Sequence, residues 1–158
     1  MLDQLIVLGA KYLIWVVCLI ALWFMIKRSE EERKKVIILA IITLPISYVV
    51  AKILGHFYYD PRPFVENNFV PLIPHAMDNG FPSDHTLFAS AIASVIYASN
   101  KKWGTGLFIL ALLVGISRVL AGVHHGVDII GSLIITIAIT VVVYRIVEKY
   151  SKKQQTKF

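Results

Sequence analysis

With 158 residues, a hydrophobic share of 57%, a net charge of +6 and a mean hydropathy of +0.70, the chain carries more apolar surface than an ordinary soluble domain can cover. Its basic residues suit an anionic membrane surface and need no nucleic acid to explain them. One cysteine, Cys18, excludes an intramolecular disulfide and is read as a small packing residue.

The predicted fold is all-α: a single transmembrane domain over 1–158, built as an integral-membrane bundle of five segments, or six if a short re-entrant or interfacial helix forms. Apolar runs at about 4–26, 36–55, 85–99, 104–121 and 126–146 approach the roughly 20 residues that cross a hydrocarbon core. The first lacks the basic leader of a cleaved signal and is expected to stay. Lys11 within it is read as a snorkelling anchor. Pro45 is expected to bend or loosen the second run. Between the second and third runs, Pro61, Pro63, Pro71 and Pro74 rule out a long helix, and the short extra segment is expected around Asn68 to Met77. Glu66, His75 and Asp78 in this loop read most simply as solvated groups. The third run is short, so Pro82 to His85 is expected to lie recessed, with Ser83 and Asp84 capping the helix.

Charge gives an orientation. Lys27, Arg28, Arg33, Lys34, Lys35, Lys101, Lys102, Arg145, Lys149, Lys152, Lys153 and Lys157 make twelve of the sixteen basic residues, and all fall on one side, which the positive-inside rule makes cytoplasmic. The N-terminus is then external. So are the loop from His56 to Ser83, Arg118 and the connection Gly122 to Gly126.

These external segments hold ionisable groups at the rims of apolar runs, where an unpartnered charge costs about 2.5–3.5 kcal/mol. His124 and Asp128, at i and i+4 in the first turn of a helix, would share a face. The carboxylate could then hold one ring nitrogen and leave the other free to attack. His125, three residues before Asp128, is the rival nucleophile. Helix N-termini at Ser83 to His85 and at His124 are natural anion sites.

Arg62-Pro63, Pro82-Ser83-Asp84-His85, and Ser117-Arg118 with five residues to His124 and three more to Asp128 resemble the three signatures of the type 2 phosphatidic acid phosphatase (PAP2) superfamily. That superfamily comprises membrane lipid phosphatases and soluble vanadium haloperoxidases, and the resemblance implies their shared helical core. It also implies roles: His124 as nucleophile forming a phosphohistidine, Asp128 as its orienting acid, and His85 as acid and then base. Arg62, Arg118, Ser83 and Lys52 would bind phosphate oxygens, with Asp84, in place of the usual glycine, beside them. One departure stands out. The family's lysine lies seven residues before the arginine, where this chain has Gly55. Lys52 is close to one turn earlier, and His56 is an alternative donor.

The run His75 to Thr86 looks like the bacitracin-resistance branch, which implies undecaprenyl pyrophosphate as the lipid-linked substrate, hydrolysed at the outer face of a bacterial plasma membrane. Phosphatidylglycerol phosphate and lipid A 1-phosphate are alternatives within the same chemistry. Outside it, His85, His124 and Asp128 could form a metal triad, although Arg62 and Arg118 would crowd a dication and welcome an anion. Neither metal nor cofactor is therefore expected. A non-enzymatic transport path is the remaining alternative, disfavoured by the lack of an inverted repeat.

Overall fold

The computed structural model describes residues 1–155, with side chains described to Ser151. The end of the polar tail, Lys152, Lys153 and Lys157 included, lies outside the described side chains. The described residues form six helices: α1 (Leu2–Ile26), α2 (Glu30–Phe57), α3 (Pro63–Glu66), α4 (Asp84–Ser99), α5 (Lys101–Leu120) and α6 (Gly126–Gln155). An isolated bridge between Pro61 and Asn79 is the extended pairing among them.

Four helices, α1, α2, α5 and α6, are long and apolar enough to cross a membrane. Their outward faces carry large apolar side chains such as Leu5, Leu19, Ile41 and Ile134, surface that water would penalise and lipid accepts. The third expected run, α4, has only 16 residues, about 24 Å at ~1.5 Å per residue. It is the most enclosed helix, wrapped by α1, α2, α5 and α6. This is a multi-pass membrane bundle with a short central helix.

Local chemistry sets the helix ends. α2 starts six residues before its apolar run because Ser29 Oγ accepts from Glu32 N–H at 3.3 Å, a capping pattern that an acidic first turn reinforces. Pro45 sits inside α2 without ending it. Asn100 ends α4 and caps α5, its Oδ1 accepting from Trp103 N–H at 3.2 Å. The extra short helix is displaced from its expected place. It occupies Pro63–Glu66, where Pro63 supplies the preset φ of a first helical residue, and Asn68 to Met77 is irregular.

A seam of buried hydroxyls joins α4 to α6. Ser132 Oγ–H reaches Ser83 O at 2.9 Å and Asp128 O at 2.8 Å, and Thr136 Oγ1–H donates to Ser90 Oγ at 2.9 Å. In lipid such bonds act between helices that gain little from apolar contact. They fix the start of α4 against the start of α6, the two segments carrying most of the candidate chemistry.

Candidate active site

The C-terminal ends of α2 and α5 and the beginnings of α4 and α6 meet at one end of the bundle. They enclose a cavity of about 430 Å³, lined by Lys52, His56, Arg62, His75, Asp84, His85, Arg118 and His124 among others. Groups up to 72 residues apart in sequence thus share one hollow.

His124 lies two residues before α6, not within it. The expected shared helix face is therefore replaced by the geometry of a helix start. Asp128 is the third residue of α6 and reaches back: Oδ2 accepts from the His125 backbone N–H at 2.9 Å and from His124 Nδ1–H at 3.0 Å, the reciprocal half of a capping box. A carboxylate can only accept, so Nδ1 carries the proton and Nε2 is the basic nitrogen. Asp128 is fully buried. The His125 ring turns away to Asp60 Oδ2 at 3.0 Å and Glu66 Oε2 at 3.5 Å, which separates the two imidazoles that position alone could not.

Arg62, 5% exposed, is held on several sides. Nε–H donates to Asp78 Oδ1 at 2.8 Å, Nη1–H to Val123 O at 2.7 Å and Nη2–H to Asn79 O at 3.3 Å. Nη1 also stands 3.3 Å from His124 Nε2. Arg118, buried on α5, lines the same cavity, and its Nε has no partner among the described residues. An anion between these guanidiniums and Nε2 would satisfy them together.

Lys52 and Asp84 form an ion pair, Nζ to Oδ1 3.1 Å, half-exposed at the cavity mouth. The carboxylate of Asp84 therefore offers the site an oriented ammonium. The departure from the family pattern has a steric cause: a Cβ on Gly55 would lie 2.7 Å from the Phe81 carbonyl oxygen and 3.6 Å from Pro82 Cδ. The motif loop packs directly on that backbone. Ser83 stands at the N-cap of α4 but makes no side-chain cap bond. Its Oγ instead accepts from Thr86 Oγ1–H at 3.2 Å, which corrects the expected capping role.

Three loop residues read as solvated or left unread belong to the site. Asp78 is the partner of Arg62. His75 packs edge-on against His124 with centroids 5.9 Å apart. Asn79 staples the loop to α2, its Nδ2–H donating to Gly55 O at 2.7 Å and its Oδ1 accepting from the N–H groups of Asp60 and Phe81 at 2.9 and 3.0 Å. The signal available was their place in the His75 to Thr86 run; a loop carboxylate alone gives none.

Burial, then the nearby Arg62 and Arg118 charges, holds the His75 imidazole below its ordinary value. Burial lowers His124 likewise; the Asp128 hydrogen bond opposes this, and Arg62 and Arg118 add to it. Burial works to raise Asp78, but Arg62 outweighs it and holds that carboxyl low. Burial, then the adjacent Asp128, raises Asp60. The His124 ring is thus kept neutral, the form a nucleophile needs.

Metal-compatible spacing among the described residues occurs at Asp60, His125 and Asp128, a set behind His124 that differs from the triad weighed in the sequence. Its donors already engage one another and His124.

The matching family model is the PAP2 superfamily, over residues 34–152. Undecaprenyl-diphosphatase BcrC of Bacillus subtilis (strain 168) is 39% identical over 91% of this chain and 74% of its own length. YbjG of Escherichia coli (strain K12) is 37% identical over 79% of this chain and 63% of its own, so the chain spans about three quarters of one relative and under two thirds of the other. The crystal structure of Aquifex aeolicus LpxE superposes with a TM-score of 0.69 at 27% identity, covering 91% of this chain and 86% of that one. The chain belongs to the PAP2 superfamily.

Proposed function

We infer that the protein is a membrane lipid phosphatase that hydrolyses undecaprenyl pyrophosphate to the monophosphate and inorganic phosphate, through a phosphohistidine and without a metal. The observation that carries this reading is the convergence of Arg62, Arg118, His85 and His124 on one cavity, with His124 Nδ1 held by Asp128. The resemblance to BcrC supports the substrate.

His124 Nε2 attacks the terminal phosphorus while the bond to the bridging oxygen breaks. His85 gives its proton to the leaving lipid phosphate. Arg62, Arg118 and Lys52 take the nonbridging oxygens, supplying the positive charge and positioning that phosphoryl transfer demands; Ser83, expected among them, is fully buried and does not line the cavity. Water then attacks the phosphohistidine, His85 accepts its proton, the P–N bond breaks and phosphate leaves. Asp84 contributes through Lys52. The basic ends of the helices support an orientation with the N-terminus and the site on the external side of a bacterial plasma membrane and the C-terminus in the cytoplasm.

The test is phosphate release from undecaprenyl pyrophosphate in detergent with excess chelator, beside phosphatidylglycerol phosphate and a lipid A species. Activity should persist with chelator, fall with vanadate and vanish in His124→Ala. Loss on chelation would overturn the metal-free mechanism. A polyprenyl substrate turned over more slowly than both others would overturn the substrate, and flux without hydrolysis the enzyme.

A further inference from the structure

At the end of the bundle opposite the active site, α5 and α6 both pack on α4 but scarcely touch each other. A groove of about 590 Å³ opens between them, with α4 as its floor. Its chemistry is graded along the membrane normal. Phe108, Ile137 and Val141 line the deeper part, and Lys101 and Arg145 stand at the outer end, where α4 has finished and α5 begins. Ser94 and Thr140, which also line the groove, are buried at its floor.

We propose that this groove binds one anionic phospholipid, phosphatidylglycerol, from the leaflet opposite the active site. Its phosphate would sit between Lys101 and Arg145, and its acyl chain would lie along Phe108, Ile137 and Val141. Glu148 shares the rim, where Lys101 and Arg145 outnumber it. Basic pockets between helices near a membrane face are suited to such headgroups. This proposal is independent of the phosphatase reading.

Native mass spectrometry of the full chain, offered equimolar phosphatidylglycerol and phosphatidylcholine with identical acyl chains, tests it. The protein should retain one phosphatidylglycerol with about tenfold preference. Lys101→Gln/Arg145→Gln should reduce the preference to parity, and Val141→Trp, which fills the apolar wall, should abolish retention while both variants elute as folded protein. Arg145→Gln alone, with an intermediate loss, covers failure of the double variant to fold. Equal retention of the two lipids by the unmodified chain, undiminished preference in the charge variants, a dimer that excludes the lipid, or displacement by undecaprenyl phosphate would each overturn the proposal.

Discussion

Among the described residues, Asp78 is the charged anchor of the Arg62 guanidinium, at 2.8 Å, beside the Val123 and Asn79 carbonyls and the His124 ring. A hydrogen bond to a charged group is worth about 1.5–3 kcal/mol, so Asp78→Ala should lower kcat/KM by about tenfold to a hundredfold, with Asp78→Asn retaining more activity. Unchanged initial rates of phosphate release would remove Asp78 from the site. The same guanidinium shapes the pH profile. Burial and two neighbouring cations lower the His124 pKa, so its neutral, reactive form persists to more acid pH than an ordinary imidazole allows. The acid limb of kcat/KM should therefore lie below about 6.5. Arg62→Gln removes one positive neighbour and should move that limb to higher pH, besides cutting turnover; a limb moving to lower pH would contradict the electrostatics. The sequence disclosed His85, Arg118, His124 and Asp128 because each sits at the rim of an apolar run, where charge is conspicuous. Asp78 and His75 were hidden because a polar loop excuses any polar residue, and only folding puts Asp78 against a guanidinium sixteen positions away.

Helices were legible wherever an apolar run was long, and their ends less so. The 85–99 run coincides closely with α4, whereas α2 extends backward into Glu30 to Lys35 under its Ser29 cap. The spacing of His124 and Asp128 suggested a shared helix face, yet the pair forms across a helix start, because Asp128 at the third position meets donors from the preceding turn. Gly55 was seen only as a missing lysine. Its role is close approach: the Phe81 carbonyl would lie 2.7 Å from any Cβ there. Gly55→Ala should push the motif loop off α2 and lower kcat/KM by about a hundredfold, the scale of a ~1 Å misplacement, while the bundle stays folded. Gly104 is the contrasting case, since a Cβ there would collide with the Tyr97 backbone, in the α4–α5 crossing far from the cavity. Gly104→Ala should cost about 1–3 kcal/mol of stability, read as a lower midpoint of thermal unfolding in detergent. If Gly104→Ala spared stability and Gly55→Ala spared activity, these packing assignments would be wrong.

The bundle is polarised end to end. The cavity of about 430 Å³ occupies one end, and Lys27, Arg28, Lys34, Lys101, Lys102 and Arg145 lie toward the other. An odd number of traverses, four long helices and the short α4, puts Leu2 at the cavity end and Gln155 at the opposite one. Positive charge resists translocation, so the basic end should face the cytoplasm and the cavity the exterior, where a spent lipid carrier would present its pyrophosphate. Single cysteines in a Cys18→Ser background give the test. Asn67 and Lys102 are both exposed, at opposite ends of the bundle. A membrane-impermeant maleimide applied to intact cells should label Asn67→Cys and leave Lys102→Cys untouched until the membrane is opened. The reverse pattern would turn the cavity toward the cytoplasm, and an external pyrophosphate could no longer be its substrate.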